Sequence, residues 1–178
     1  MPRKQRNWFP GAKYHITSRG IRKSTLFYDP GDYQVYLKLL RETKKKYPFT
    51  LHAYCLMTNH LHLQIETIDS PTGTIIQLIH YNYARYFNKK YGYNGHVFEN
   101  RYGAEWIDSR KYELDVSKYI HLNPVAAKIV KNPEDYPWSS CRTYTQKHKD
   151  PLIHTDYILS HFKEPSSANY DKFIKTGQ

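Results

Sequence analysis

The stretch FTLHAYCLMTNHLHLQIE (49–66) decides the fold of this chain. Its first half is rich in strand-forming residues, and after a short break at Thr58-Asn59 the second half alternates strictly between polar and apolar side chains. The two halves therefore predict a β-hairpin whose second strand has one polar and one apolar face. The polar face carries His60, His62, Gln64 and Glu66, and the apolar face carries Leu61, Leu63 and Ile65.

Outward from the hairpin, the pattern predicts two further strands and three helices. The order strand–helix–strand–strand–helix–strand, followed by a helix, is typical of an α+β ferredoxin-like βαββαβ antiparallel sheet with an additional C-terminal helix. In this topology the first strand and the second hairpin strand are neighbours at the sheet centre. Besides the hairpin, the predicted elements are a strand at 12–20, a helix that begins at Asp29-Pro30 and ends near Lys46, a helix at 72–91, a strand at 97–108 and a helix after Asp108-Ser109.

The remainder of the chain gives weaker signals. Pro124 should bend or restart the last helix, residues 131–144 read as a loop with aromatic anchors, and one short helix is expected around Tyr157 to Phe162. We therefore expect one domain at 8–150 and a C-terminal extension at 151–178.

Composition restricts the class of protein. Lysine and arginine number 27 against 16 acidic residues, a net charge of +11, which favours a polyanionic partner. Two cysteines outside any CxxC pair indicate a reduced, cytoplasmic chain. No apolar run is long enough to cross a bilayer and no signal sequence is evident, so we expect no membrane partner.

A polar patch is predicted where the two central strands meet. It would comprise His15, Thr17, Arg19, His60, His62 and Gln64. The simplest interpretation is a solvent-facing antiparallel sheet, and an HxH pair alone favours it. However, Tyr119 and Asn123 lie one turn apart on the third helix, on one face.

Two imidazole nitrogens and an amide oxygen could hold Mg²⁺ or Mn²⁺ and leave positions open for a phosphate, although imidazole pairs also attract Zn²⁺. Alternatively, Tyr119 is a core aromatic in a stripe with Tyr112 and Val116, and Asn123 is the N-cap that joins two helices.

Four segments together resemble a known family: YHITSRG, AYCLMTNHLHLQIE, SKYIHLNPVAAKIV and DYPWSSCRTY. They resemble the REP-associated tyrosine transposases, within the single-tyrosine HUH, or IS200-like, transposase superfamily, over about residues 8 to 150. The resemblance implies a ferredoxin-like nuclease that acts on single-stranded DNA, often around a hairpin, with a divalent metal.

The resemblance also implies roles for four residues. His60 and His62 match the metal ligands, Asn123 matches the amide ligand, and Tyr119 matches the nucleophile that forms a 5′-phosphotyrosine link and frees a 3′-hydroxyl. Two positions depart from the family pattern: Ala126 stands where arginine is usual, and Glu99 where glutamine is common.

Five further residues are candidates for DNA contact: His15, Arg19, Arg101, Arg85 and Lys89. A satisfied structural histidine and solvated cations are the alternatives.

We therefore expect a single-stranded or hairpin DNA endonuclease and strand transferase that uses Mg²⁺ or Mn²⁺, as a monomer or homodimer. Two other functions stay open: a nucleic-acid-binding protein on the same fold that no longer cuts, and a zinc hydrolase in which water attacks and Tyr119 is dispensable.

Overall fold

The computed structural model describes residues 8–146 and 148–176. A four-stranded antiparallel sheet, in the order β2-β3-β1-β4, lies between helices on its two faces. The α+β class and the predicted order of elements are confirmed. In chain order the elements are β1 (Lys13–Arg19), α1 (Pro30–Lys46), β2 (Phe49–Leu56), β3 (His60–Thr67), α2 (Thr72–Tyr91), β4 (Gly103–Trp106), α3 (Arg110–Ala126), α4 (Cys141–Thr145), α5 (Asp156–Leu159) and α6 (Ser166–Lys175).

The two central strands are β1 and β3, as the topology predicts. Their antiparallel register pairs Arg19 with His60 and Thr17 with His62. Because side chains of directly opposed residues share a face, the polar side chains of the two strands form one patch. The predicted merging of the polar faces is therefore confirmed.

The other face of β3 forms the main core. Leu61, Leu63 and Ile65 are fully buried against residues of α1 and α2, and each such side chain contributes about 1.5–3 kcal/mol by leaving water. A capping box between Asp29 and Asp32 fixes the start of α1. The histidines thus project from a strand whose opposite face is fixed by apolar packing against α1 and α2.

Helix α3 covers the polar face of the sheet. It begins at the N-cap Ser109, and its residues Val116 and Ile120 pack in a second apolar cluster with Cys55 of β2. The helix continues through Pro124 to Ala126, so the predicted restart there is wrong, as is the N-cap role of Asn123. Proline removes one hydrogen bond near a helix end, and α3 ends only two residues later.

The fourth strand is shorter than predicted. Within the predicted range 97–108, the segment that pairs with β1 is Gly103–Trp106. Phe98 instead makes an isolated bridge to Gly20 and stacks on His80 of α2. The predicted strand at 97–108 is therefore confirmed only over its second half. Gly103 favours the pairing, because a Cβ there would collide with the Thr17 hydroxyl unless that side chain moved.

The C-terminal part contains more helix than predicted. The expected short helix corresponds to α5, but α4 and the ten-residue α6 were not predicted. Only Tyr170 and Ile174 of α6 are buried, which is too few to reveal a helical period. A domain boundary near residue 150 stays a prediction. No helix within 8–146 or 148–176 is long and apolar enough to span a membrane.

Candidate active site

Two histidines of β3 and two residues of α3 meet at one place. The amide of Asn123 lies with Oδ1 3.2 Å from His60 Nε2 and Nδ2 3.3 Å from His62 Nε2. The ring of Tyr119 meets the His62 ring edge-on, with centroids 5.3 Å apart. The structure therefore brings together the four residues that the sequence singled out.

Burial distinguishes this patch from a solvent-exposed face of a sheet. His62 is 6% exposed, because α3 lies over it, whereas Tyr119 is 53% exposed. The solvent-facing interpretation of the strand is therefore wrong at His62, and the core-aromatic interpretation is wrong at Tyr119.

Asn59 determines the orientation of His60. Its Nδ2 donates to the Lys23 carbonyl at 3.3 Å, so its Oδ1 faces His60 Nδ1 at 2.7 Å and must accept a hydrogen bond from the Nδ1–H. A neutral imidazole has one N–H, and in His60 this N–H lies on Nδ1 and donates to Asn59. His60 Nε2 then presents a lone pair towards Asn123.

His62 has its own neighbour on the ring side away from Asn123. Its Nδ1 lies 3.0 Å from His15 Nε2, and the two rings are stacked at 5.2 Å between centroids. His15 Nδ1 in turn lies 3.8 Å from Glu105 Oε2. Glu105 also accepts a hydrogen bond from the Tyr112 hydroxyl at 2.7 Å.

The imidazoles at the site are held neutral. Burial, together with the neighbouring His15, His60 and Arg19, lowers the pKa of His62 to about 3. Burial also lowers the pKa of His60, against the opposing effect of the nearby Asn123 amide oxygen, and Arg19 lowers it further. Since only neutral imidazole binds a metal, protons would not compete for these nitrogens near neutral pH.

The donor set fits a divalent cation. With the Asn123 amide oriented as in this structure, its oxygen faces the His60 Nε2 lone pair, and two acceptors at 3.2 Å repel unless positive charge lies between them. Among the described residues, no group of three His, Cys, Asp or Glu side chains is placed to hold a metal. The amide oxygen of Asn123 is therefore the natural third donor beside the two nitrogens.

A cavity of about 340 Å³ opens at these residues. Its walls include Arg19, Arg101, His60, His62 and Tyr119. A larger cleft of about 1320 Å³ adjoins it and shares the wall formed by residues 99–101. The site is thus open to a large ligand and has two guanidinium groups that could meet phosphate oxygens.

The candidate DNA-contacting residues separate into three groups. Arg19 and Arg101 line the cavity. His15 is 8% exposed and hydrogen-bonded to His62, which leaves it little surface for nucleic acid. Arg85 and Lys89 are exposed on α2, which packs on the opposite face of the sheet. DNA contact by any of the five stays a prediction.

The sequence did not indicate Asn59, Glu105 or Tyr112 as parts of the site. Asn59 immediately precedes His60, so its position in the turn was a usable signal. Glu105 lies directly opposite His15 in the β1–β4 register. That register could not be read from the sequence, because the predicted strand at 97–108 had no feature to align it.

Comparison with known proteins identifies the family of this chain. The family model described as "Transposase IS200 like" matches residues 9–123. A Haemophilus influenzae protein, itself only provisionally assigned as a REP-associated tyrosine transposase, is 25% identical over 147 residues, which cover 76% of each chain. A solved structure described as a REP-associated tyrosine transposase bound to a REP hairpin superposes with a TM-score of 0.70 at 20% identity, covering 89% of this chain and 93% of the other.

Proposed function

This chain belongs to the IS200-like transposase family, and from that premise we propose that it cuts and rejoins single-stranded DNA at or near hairpins, with Tyr119 as the nucleophile. The proposal rests on the contact between α3 and β3. There the Asn123 amide lies 3.2 and 3.3 Å from the Nε2 atoms of His60 and His62, beside the exposed ring of Tyr119.

In the proposed reaction, the Tyr119 oxygen attacks the phosphorus of a phosphodiester. A bond forms between that oxygen and the 5′-phosphate, and the bond from phosphorus to the 3′-oxygen breaks. The phenol loses its proton, and the departing oxygen gains one and becomes a 3′-hydroxyl. One phosphoester replaces another, so rejoining needs no ATP.

We propose Mg²⁺ or Mn²⁺ as the ion held by His60, His62 and Asn123. Such an ion supplies positive charge that neutralises the scissile phosphate and holds it in line with the attacking oxygen. Arg19 and Arg101, in the same cavity, would add charge for neighbouring phosphates.

Hairpin DNA is the proposed substrate for two reasons. The net charge of +11 favours a polyanion, and the superposed relative is described as bound to a REP hairpin. The four site residues meet within one chain, so we propose a site complete in a monomer, or in each subunit of a homodimer.

The test uses a labelled hairpin with single-stranded flanks, incubated with the protein and Mn²⁺ and resolved on a denaturing gel. We expect a covalent protein–DNA adduct that chelator and Tyr119→Phe both abolish. Tyr28→Phe is the matched control, because Tyr28 is exposed and outside the cavity. An adduct that survives Tyr119→Phe would contradict the mechanism.

The same assay distinguishes the two other functions. A protein that only binds nucleic acid would shift the hairpin on a native gel and yield neither adduct nor nick. A zinc hydrolase would cut with Zn²⁺, without an adduct, and equally well after Tyr119→Phe. Either result would overturn the proposed function.

A further inference from the structure

We propose that His15 and Glu105 are positioning residues that set the tautomer of His62 and so keep its Nε2 atom open to the divalent ion. This inference rests on the proposed function of the site. It assigns a role to a buried histidine of β1 and a carboxylate of β4.

The geometry is a line of three side chains that crosses the sheet. Glu105 on β4 lies opposite His15 on β1, and Glu105 Oε2 is 3.8 Å from His15 Nδ1. The other nitrogen of His15, Nε2, is 3.0 Å from His62 Nδ1. Tyr112 of α3 holds the same Glu105 oxygen at 2.7 Å. The line therefore begins at the Glu105 carboxylate, which Tyr112 positions, and ends at His62, a proposed metal ligand.

Two proton arrangements satisfy the contact between the histidines. In the first, both protons lie on Nδ1: His62 donates to His15 Nε2, and His62 Nε2 has a free lone pair. In the second, both protons lie on Nε2: His15 donates to His62 Nδ1, and His62 Nε2–H points at Asn123, whose amide turns over to accept it. Only the first arrangement leaves His62 able to bind a metal.

Glu105 favours the first arrangement. A carboxylate attracts the Nδ1–H of His15 and repels a lone pair at the same atom. At 3.8 Å the contact exceeds a direct hydrogen bond, and the Glu105 side chain is largely exposed, so solvent weakens the effect. His15 should therefore matter more than Glu105.

The arrangement at His60 supports this interpretation. There the Asn59 oxygen takes the Nδ1–H at 2.7 Å and leaves Nε2 open. His15 does the same for His62 with a ring nitrogen. Outer partners of this kind fix ring orientation and tautomer in metal-binding histidines. Both ligands then present Nε2 towards Asn123, from opposite sides of one amide.

The first experiment measures binding of Mn²⁺ alone by isothermal titration calorimetry. His15→Phe keeps an aromatic ring but removes the acceptor, and we expect about 10–100-fold weaker binding. His15→Gln should regain part of the affinity, because its amide oxygen can accept from His62. Glu105→Gln should bind a few-fold more weakly. His148→Phe, at an exposed histidine, is the matched control and should bind like the parent.

The second experiment needs no metal. Nitrogen-15 NMR of the imidazoles distinguishes a protonated ring nitrogen from an unprotonated one. We expect His62 Nε2 to be unprotonated in the metal-free parent and more protonated in Glu105→Gln. Circular dichroism and thermal melts check that each variant folds. If His15→Phe does not fold, Glu105→Gln still tests the inference, because its side chain is largely exposed.

The outcomes separate this inference from the proposed function. A parent protein that binds no Mn²⁺ would overturn the metal site, while the NMR measurement would still test the tautomer. A parent that binds Mn²⁺, with His15→Phe binding equally well, would overturn the positioning role alone. A protonated His62 Nε2 in the metal-free parent would also overturn it.

Discussion

His121→Leu is expected to lower the free energy of unfolding by about 2–4 kcal/mol. His121 lies on α3, is not among the residues that line the 340 Å³ cavity, and is 0% exposed. Its Nδ1 is 2.7 Å from the Tyr170 hydroxyl of α6, and its Nε2 is 2.8 Å from the Ser140 hydroxyl. The side chain thus connects the helix that carries Tyr119 to the C-terminal part of the chain.

The magnitude follows from the two lost hydrogen bonds. Each costs about 1–3 kcal/mol when it leaves a buried partner unsatisfied. Both partners keep another bond, since Ser140 Oγ accepts from the Tyr54 N–H at 2.9 Å and the Tyr170 hydroxyl reaches Ser117 Oγ at 3.2 Å. The total therefore lies below the upper limit for two orphaned groups. Leucine is similar in size to histidine, so little cavity is added.

Urea denaturation at pH 7, followed by circular dichroism, measures this loss. The exposed His148→Leu is the control and should change stability by less than about 0.5 kcal/mol. A double-mutant cycle with Tyr170→Phe should give a coupling energy of about 1 kcal/mol. A loss below about 1 kcal/mol, or strictly additive effects, would refute the claim that His121 ties the two helices together.

Three further predictions concern stability. Burial lowers the pKa of His121 to about 3, so below pH 6.5 the unfolded chain takes up a proton that the folded chain does not, and the free energy of unfolding should decrease as the pH is lowered. In urea titrations at pH 7, 6 and 5, His121→Leu should show a smaller decrease than the parent. An unchanged dependence on pH would contradict the assignment. Asp32→Asn should lower the free energy of unfolding by about 2–4 kcal/mol in urea denaturation, because this buried carboxylate accepts hydrogen bonds from a lysine and two tyrosine hydroxyls. Asp69→Asn, at an exposed position, should change it little. Equal losses in the two variants would count against the network. Gly103→Ala should lower the thermal midpoint by clashing between β4 and β1, while Gly73→Ala, which meets only a hydroxyl at 3.7 Å, should not; a stable Gly103→Ala would disprove the close approach.

Much of the fold could be predicted because local patterns determine it. Strict alternation at 60–66 assigned each side chain of β3 to a face, and the capping signal at Asp29-Pro30 located the start of α1. The strand order followed from the order of elements, and this placed the two histidines at the sheet centre. Spacing by one turn was enough to put Tyr119 and Asn123 on a common face of α3.

The rest depends on contacts between residues far apart in the chain. Alternation states which face His62 occupies, but not that α3 covers that face and buries it. The pairing of His15 with Glu105 depends on the register of a four-residue strand. Continuation of α3 through Pro124 was also not evident, because a proline two residues from a helix end removes only one hydrogen bond and need not end the helix.

The central claim is that Tyr119 forms a covalent bond with DNA, and mass spectrometry of the trapped adduct tests it most directly. The protein is incubated with hairpin DNA and Mn²⁺, digested with nuclease and protease, and searched for peptides that carry a nucleotide. The account predicts a 5′-phosphate on the peptide that contains Tyr119, attached to the tyrosine oxygen. A nucleotide attached to any other residue, or DNA cleavage without a modified peptide, would contradict it.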